Sequence, residues 1–164
     1  MNVIMSMIMK KAVFKMILSL GLFPFLVMTS HAFAGSSSNH ISLLKEMFAK
    51  VTVEKDDKAI AKYYDQGFQL YSNGKTANFD EFLQQHQIIY KTPIQYSIRY
   101  DDETLMEQGN KVAGRLFITT KRPNEQIHEI EVILVAEYKG DKLYRMWELT
   151  YPDWTKMKAF EKAS

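Results

Sequence analysis

The sequence predicts an α+β fold in which three N-terminal helices pack on a strongly bent antiparallel sheet. Three observations predict this. Apolar residues recur at helical spacing in three stretches before residue 91, they alternate with polar residues from Pro93 onward, and turn-forming pairs separate the alternating runs. Helices followed by an antiparallel meander form an α+β domain. A sheet that bends around its helices leaves a cavity against its concave face.

The first 34 residues differ in composition from the rest of the chain. Three lysines precede the apolar run MILSLGLFPFLVM, and the small-residue sequence AFA ends at residue 34. This is the pattern of a secretory signal peptide. A membrane anchor is the alternative, but a spanning helix needs about 20 apolar residues, and Pro24 interrupts this shorter run. We therefore expect a removed signal, residues 1–34, and one periplasmic or secreted domain, residues 35–164.

The predicted mature chain carries little net charge. Three of the 21 basic residues lie in the leader, so 18 basic and 19 acidic residues remain, a formal charge of −1. The predicted mature chain has no stripe of basic residues that would indicate a nucleic-acid partner. No second apolar run is long enough for a membrane. The chain has no cysteine, so its stability depends on its core rather than on disulfides.

Three helices are predicted before residue 91, and Asn39 or Ser42 is the candidate cap of the first. The second is predicted over residues 54–65, with Tyr64 on its apolar face. The third is predicted over residues 78–90, and its apolar stripe contains His86. The residues that define the three stripes are Ile41, Leu44, Phe48, Val51, Ile60, Tyr64, Phe79, Phe82, Leu83, His86 and Tyr90.

One short strand and four longer strands complete the predicted fold. The short strand lies in the segment GFQLYSNGK and ends in the turn pair Asn73-Gly74. Alternation around Tyr96 indicates the first of the longer strands. The other three are predicted in the segments KVAGRLFITT, IHEIEVILVAEY and KLYRMWELTY. The turn pairs between them are Gly109-Asn110, Pro123-Asn124 and Gly140-Asp141.

The direction of Glu148 depends on the length of the last turn. A two-residue turn at Gly140-Asp141 pairs Tyr138 with Leu143 and directs Glu148 to solvent. A three-residue turn directs Glu148 inward, because a change of one residue in register moves every side chain of the strand to the other face. Local alternation favours the exposed Glu148, and both registers remain open. The three-residue turn would group Tyr144, Met146 and Glu148 with His128, Ile130, Val132 and Leu134.

An inward Glu148 would be an acid in an apolar cavity. Burial would raise its pKa toward the range that suits a general acid or base, and His86 is its candidate catalytic partner. Candidate ligand contacts from the same interior are Tyr64, Tyr96, His128, Tyr144 and Met146. Each also has a structural alternative, because histidines on helix stripes and tyrosines in small cores commonly serve packing.

The segment FQLYSNG, the final strand KLYRMWE and the order of elements resemble the nuclear transport factor 2-like (NTF2-like) superfamily, in particular its SnoaL-like polyketide cyclase branch. The resemblance spans residues 42–154. It implies a cone with an internal pocket. In this family the final strand often presents an acid to the pocket after a tryptophan, which implies an inward Glu148. Gly140 precedes Asp141, however, whereas the family's three-residue turn usually ends in glycine.

An inward Glu148 would place an apolar patch on the outer sheet face, formed by Ile133, Val135, Trp147 and Leu149. Members of the family commonly bury such a patch by dimerising, so the resemblance implies a homodimer.

Tyr71 and Asn73 also resemble the pair that positions water in limonene epoxide hydrolases, a related branch, which makes Tyr71 a candidate ligand contact. That branch needs an Arg-x-Asp sequence on a preceding strand. Here Arg115 is followed by Phe117 and no acid, so epoxide hydrolysis is not expected. Asn73-Gly74 is adequately explained as a hairpin turn.

Two functional classes remain open. The first is a module that binds a small, largely apolar ligand, oriented by Glu148, Tyr64 and His86. The second is a cofactor-independent cyclase, isomerase or dehydratase with Glu148 as general base. An interaction domain with a collapsed cavity is a third possibility. No metal-ligand spacing, glycine-rich phosphate loop or GxSxG motif occurs, so we expect no metal and no cofactor.

Overall fold

The computed structural model describes residues 39–157 and residue 160. The predicted signal peptide, residues 1–34, lies outside this range. The helices are α1 (His40–Phe48), α2 (Asp57–Tyr63) and α3 (Phe79–Tyr90). The strands are β1 (Tyr64–Ser72), β2 (Lys75–Asn78), β3 (Gln95–Gln108), β4 (Lys111–Lys121), β5 (His128–Lys139) and β6 (Lys142–Tyr151). A π-helical turn, Ala49–Val53, extends α1, and a 3₁₀ turn, Trp154–Lys156, follows β6.

Side-chain caps determine where the helices begin. Asn39 caps α1 by accepting a hydrogen bond from the Ser42 amide at 2.9 Å. Asn78 caps α3 in a capping box with Glu81, in which each side chain accepts from the other residue's amide. The second helix is shorter than predicted, because Asp56 caps it and Tyr64 pairs with β6 instead of continuing the helix. In this part of the chain no helix is long and apolar enough to cross a bilayer.

The six strands form one sheet in the order β2-β1-β6-β5-β4-β3. All neighbours are antiparallel except β1 and β6, which run parallel. The parallel pair was not predicted, since residues about 80 positions apart leave no local signal of their pairing. The short β2, which pairs with β1 across the turn at Asn73-Gly74, was not predicted either. The α+β class, with helices packed on a bent sheet, is confirmed.

Two irregularities shape the sheet. In β3 the pairing with β4 shifts between Asp101 and Met106, which adds residues to β3 and bends it. Leu105 from this bulge lies directly over Gly114 of β4, where a Cβ atom would be 2.6 Å from Leu105 Cδ2. Gly114 therefore leaves the space that the bulge occupies.

The second irregularity lies in the last strand and exchanges which of its side chains face inward and outward. The β5–β6 turn has two residues, Gly140 and Asp141, and Gly140 takes φ +60° as in a type II′ turn. Tyr138 pairs with Leu143, but Glu137 pairs with Arg145, so Tyr144 is an extra residue in β6. After the bulge at Tyr144, the side chains of β6 face the opposite side of the sheet from the one that a two-residue turn alone would give them. A two-residue turn and an inward Glu148 therefore occur together, a combination that neither predicted register contained.

The core lies between the concave face of the sheet and the helices. Phe68 of β1 is fully buried and makes edge contacts with Tyr64 and Phe82, at ring-centroid distances of 4.7 and 5.2 Å. The other fully buried large side chains are Leu44, Met47, Val51, Ile60, Ile94, Val112, Leu116, Val132, Leu134 and Leu143. The helices and the strands β1, β4, β5 and β6 contribute large buried side chains, whereas no residue of β3 is fully buried.

Candidate functional site

A cavity of about 140 Å³ lies inside the cone. An apolar cavity of about 150 Å³ is large enough to bind benzene, so this one has room for a single ring or a compact aliphatic group. Seven of its lining residues are aromatic: Phe48, Tyr64, Phe82, Tyr90, Tyr96, Trp154 and Phe160. The other lining residues are Thr52, Leu70, Gln85, His86, Ile89, Ile118, Ile130, Val132, Met146, Glu148 and Thr150.

Glu148 reaches this cavity because of the bulge in β6. It lies opposite Leu134 of β5 and beside Ser72, its parallel partner on β1. The buried Ser72 hydroxyl donates to Glu148 Oε1 at 2.7 Å, and Trp154 Nε1 donates to Ser72 Oγ at 3.0 Å. This short chain of hydrogen bonds orients the carboxyl group.

Burial raises the pKa of Glu148 above its ordinary value, and the hydrogen bond from Ser72, which Trp154 supports, offsets part of that rise. Removal from water disfavours the charged form of an acid, whereas hydrogen bonds donated to the carboxylate favour it. Glu148 is therefore an acid that can hold or release a proton closer to neutral pH than a surface glutamate.

His86 is neutral at physiological pH. Burial lowers its pKa to about 4, and its hydrogen bond to the Phe82 carbonyl only partly opposes this. The carbonyl lies 2.9 Å from His86 Nδ1, so Nδ1 carries the proton and donates it. Nε2 is then the ring atom able to accept a hydrogen bond. The ring packs against Phe82 and Tyr90, at centroid distances of 4.0 and 5.6 Å.

Three tyrosines line the cavity with different roles. The Tyr90 hydroxyl donates a hydrogen bond to the Val51 carbonyl, so it is not free to donate one to a ligand. Tyr64 and Tyr96 make no such bond within the described part of the chain. Burial raises the pKa of both, and the charge of nearby Glu148 adds to the rise for Tyr64. Tyr64 is therefore a neutral phenol near the acid.

Five of the eight candidate residues lie around the cavity: Glu148, His86, Tyr64, Tyr96 and Met146. Tyr71, His128 and Tyr144 do not. Tyr71 stacks on Trp147 on the outer sheet face, His128 is exposed at the start of β5, and Tyr144 is the bulged residue, packed beside Gly67. Strand parity turns Tyr71 away and the bulge displaces Tyr144, whereas His128 shares the parity of Ile130 but lies at the exposed end of its strand.

Sequence reasoning missed Ser72 and Trp154, which hold the acid. Ser72 follows Phe68 and Leu70 at intervals of two residues on β1, so it lies on the same inward face. Period-two spacing in the sequence therefore predicts its direction. Nothing in the sequence signals that Ser72 meets Glu148, because their contact depends on the parallel pairing of β1 with β6. Trp154 lies beyond the last strand in a 3₁₀ turn that Asp153 caps.

Asn73 ties the β1–β2 turn to the end of β6. Its Nδ2 donates to Thr150 Oγ1 at 2.7 Å and to Asp153 Oδ1 at 3.0 Å, and its Oδ1 accepts from the Thr150 amide at 3.0 Å. Its φ of +48° and the +81° of Gly74 form the predicted hairpin turn. Asn73 thus supports the site from outside the cavity.

No three histidine, aspartate or glutamate side chains within residues 39–157 and 160 lie close enough together to hold a metal ion. Glu148 is the one carboxylate among the described residues that line the cavity. The polar chemistry of the cavity therefore consists of one acid, one neutral imidazole, phenols, an amide and hydroxyl groups.

A bent sheet wrapped around helices, with an acid of the last strand inside, defines a cone-shaped protein of the NTF2-like fold. No protein-family model matches the chain, and no curated protein matches it significantly in sequence. Solved structures do match its fold. PrhC from Penicillium brasilianum superposes with a TM-score of 0.60 at 15% identity, over 75% of this chain and 89% of that one.

Two bacterial structures support the same assignment. A candidate polyketide cyclase from Acidithiobacillus ferrooxidans matches with a TM-score of 0.54 at 14% identity, over 79% of this chain and 99% of that one. An NTF2-like protein of unknown function from Cytophaga hutchinsonii matches with a TM-score of 0.51 at 12% identity, over 68% and 89% of the two chains. The resemblance to the NTF2-like superfamily and its polyketide cyclase-like members is thereby confirmed at the level of the fold.

Proposed function

We propose that the protein binds a small, largely apolar ligand inside its cone. The observation that carries this proposal is the cavity of about 140 Å³, whose walls are mainly aromatic and aliphatic and in which Glu148 is the one carboxylate among the described lining residues. Binding pockets for small molecules are typically apolar with a few convergent polar groups. Structures of the same fold include a candidate polyketide cyclase, which is consistent with a small organic ligand.

Three side chains orient the ligand in this proposal. Glu148 offers a carboxyl group whose raised pKa allows it to donate or accept a hydrogen bond. Tyr64 offers a phenolic proton, and the neutral His86 offers Nε2 as an acceptor. Polar groups buried in an apolar site favour ligands that satisfy them, since leaving such a group unpaired costs about 1–3 kcal/mol.

Filling the cavity should abolish binding. Ile118→Phe adds bulk at a cavity wall, and we expect it to lose binding of phenol, used as a single-ring probe, as measured by titration calorimetry. We also expect native mass spectrometry of the wild-type protein, purified from its exported fraction, to show a bound small molecule that this variant lacks. Met106→Phe, which adds similar bulk at an exposed residue of β3, is the matched control. Equal phenol binding by both variants would contradict the proposal.

A second function is favoured by one observation, the position of the Glu148 carboxyl group in the cavity, where burial raises its pKa. A carboxylate that is a stronger base than usual suits a cofactor-independent isomerase, cyclase or dehydratase, with Glu148 as general base and Tyr64 or His86 stabilising the developing oxyanion. Glu148→Gln separates the two functions. Turnover lost while binding is retained supports the enzyme, whereas weakened binding alone supports the binding module.

The proposed function includes export. The leader pattern of residues 1–34 supports a mature protein in the periplasm or outside the cell. Fractionation of cells that express the full chain tests this, with the expectation that the exported form begins near residue 35. A full-length protein retained with the membrane would instead support an anchor.

A homodimer is also part of the proposal. The outer patch consists of Ile133, Val135, Trp147, Leu149 and Tyr151, which are exposed to 56%, 37%, 36%, 66% and 79%. Tyr71 extends it by stacking on Trp147, with ring centroids 5.5 Å apart. Contiguous exposed apolar surface of this kind marks an interaction site, and a two-fold axis would bury the same patch on both copies.

Charging the outer patch should prevent this association. We expect Leu149→Lys to shift the protein from dimer to monomer in size-exclusion chromatography with light scattering, because the lysine would have to be desolvated in the interface. Met106→Lys places the same charge on an exposed apolar residue of β3 outside the patch and should remain dimeric. A wild-type protein that stays monomeric at high concentration would refute the dimer.

A further inference from the structure

The acid in the cavity has no positively charged neighbour among the lining residues. Glu148 accepts its hydrogen bond from Ser72, an uncharged group, and none of the described cavity-lining residues is a lysine or an arginine. His86, the one imidazole of the cavity, is neutral. Burying a carboxylate without a cationic partner is unfavourable. Glu148 is half-buried, so neutralisation of its charge by a proton or by the ligand would favour its position in the cavity.

The cavity walls favour a cation as the neutralising group. The faces of aromatic rings carry the negative part of the ring quadrupole, and cages of such rings bind quaternary ammonium groups. Seven aromatic side chains line this cavity, and two of them lie beside the acid. Trp154 is joined to Glu148 through Ser72, and Tyr64 is close enough for the charge of Glu148 to affect its pKa.

Two described cations, Lys55 and Arg122, lie near Tyr96 at the opposite end of the cavity from Glu148. Lys55 donates to the Thr92 carbonyl at 2.9 Å and lies 6.0 Å from the centre of the Tyr96 ring. Arg122 is near enough to both Lys55 and Tyr96 to affect their pKa values. Tyr96 belongs to β3, which is three strands away from β6 in the sheet. Among the described residues that line the cavity, Glu148 is therefore the one acid, and neither of these two cations lies among them.

We propose that the ligand is a compact ammonium compound whose cationic group lies against Glu148 between Tyr64 and Trp154. This rests on the proposed ligand-binding function and specifies the ligand's charge class. The cavity volume limits the ligand to about the size of one ring. A carboxylate or phosphate ligand is disfavoured, because it would bring a second negative charge to the unpaired acid.

The protonation of Glu148 is linked to binding. Ser72 and Tyr64 of β1 interact with Glu148, and Thr150, Trp154 and His86 line the same cavity; all of these are uncharged at neutral pH. Lys75 of β2 is the charged residue that shares a groove with Glu148, on the outer side of the sheet. A bound cation favours the carboxylate and lowers the pKa of Glu148, so binding near that pKa releases protons and strengthens as pH rises. A neutral ligand excludes water from the acid and raises its pKa, so its binding shows the opposite linkage.

The test compares choline with 3,3-dimethylbutan-1-ol, a neutral compound of nearly the same shape. We expect the wild-type protein to bind choline about tenfold more tightly or better, the usual scale for a desolvated cation in an aromatic cage. Calorimetry in two buffers of different ionisation enthalpy should show proton release with choline alone. In Glu148→Gln the preference for choline should fall to about twofold or less, whereas the exposed Glu103→Gln should retain it.

Each outcome is decisive. Tighter binding of the neutral compound, or proton uptake with choline, would overturn the ammonium assignment. Binding of phenol without binding of choline would overturn it as well, while leaving the proposed ligand-binding function intact. If none of the three probes binds, both proposals fail. Because the proton-release measurement uses the wild-type protein, it holds even if Glu148→Gln folds poorly.

Discussion

Replacing Glu148 by glutamine should stabilise the protein at neutral pH and leave its stability near pH 4 almost unchanged. The folded state raises the pKa of Glu148, so it binds this proton more tightly than the unfolded chain does. Such a group stabilises the fold below its unfolded pKa, and that contribution is lost as pH rises through the folded pKa. Glutamine keeps the shape and an acceptor for the Ser72 hydroxyl, and it carries no charge at any pH.

The expected gain at pH 7 is on the order of 1 kcal/mol, the usual scale of a single substitution. Urea unfolding of both proteins between pH 4 and pH 8 measures it, and the difference should grow with pH. The control is Glu103→Gln, since Glu103 is exposed and its difference from wild type should stay flat. A Glu148→Gln protein that is less stable at pH 7 would mean that the carboxylate is stabilised where it lies. That result would also argue against a raised pKa of Glu148 in the folded protein.

Gly114→Ala should lower the free energy of unfolding by about 1–3 kcal/mol, the usual cost of overpacking a filled site. The new Cβ would lie 2.6 Å from Leu105 Cδ2 and 3.1 Å from Leu105 Cα. The side chain of Leu105 can move, but its Cα belongs to the bulge that bends β3. Relief of the clash therefore requires the bulge itself to shift.

A double-mutant cycle with Leu105→Ala checks this interpretation. Truncating Leu105 removes the flexible part of the clash, so the double variant should lose less stability than the sum of the two single variants. Because the backbone contact remains, the recovery should be partial. Strict additivity of the two losses would show that Gly114 does not act through Leu105.

The bulge at Tyr144 decides which side of β6 carries chemistry. Without it, the two-residue turn at Gly140-Asp141 would direct Trp147 inward and expose Glu148. With it, Glu148 and Met146 face the cavity, and Trp147 and Leu149 form the outer patch. One inserted residue thus creates both the candidate binding site and the candidate dimer surface.

Much of the fold could be predicted from local pattern. The cap Asn39, the apolar stripe of α3 and the alternation of the long strands are encoded within a few residues of where they act. Turn pairs containing glycine or asparagine marked the hairpins, and Asn73, Gly74, Gly109 and Gly140 all take positive φ. The second helix was predicted too long, because pairing with β6 draws Tyr64 into a strand.

The sequence by itself determined the α+β class, the order of the long elements and the placement of His86 on the interior stripe of α3. These features depend on short-range periodicity and on turn chemistry, which are properties of neighbouring residues. Only the tertiary structure decided the parallel pairing of β1 with β6, the bulge at Tyr144, and the meeting of Glu148 with Ser72 and Trp154. Those features depend on contacts between residues far apart in the chain, and local preference alone pointed Glu148 the other way.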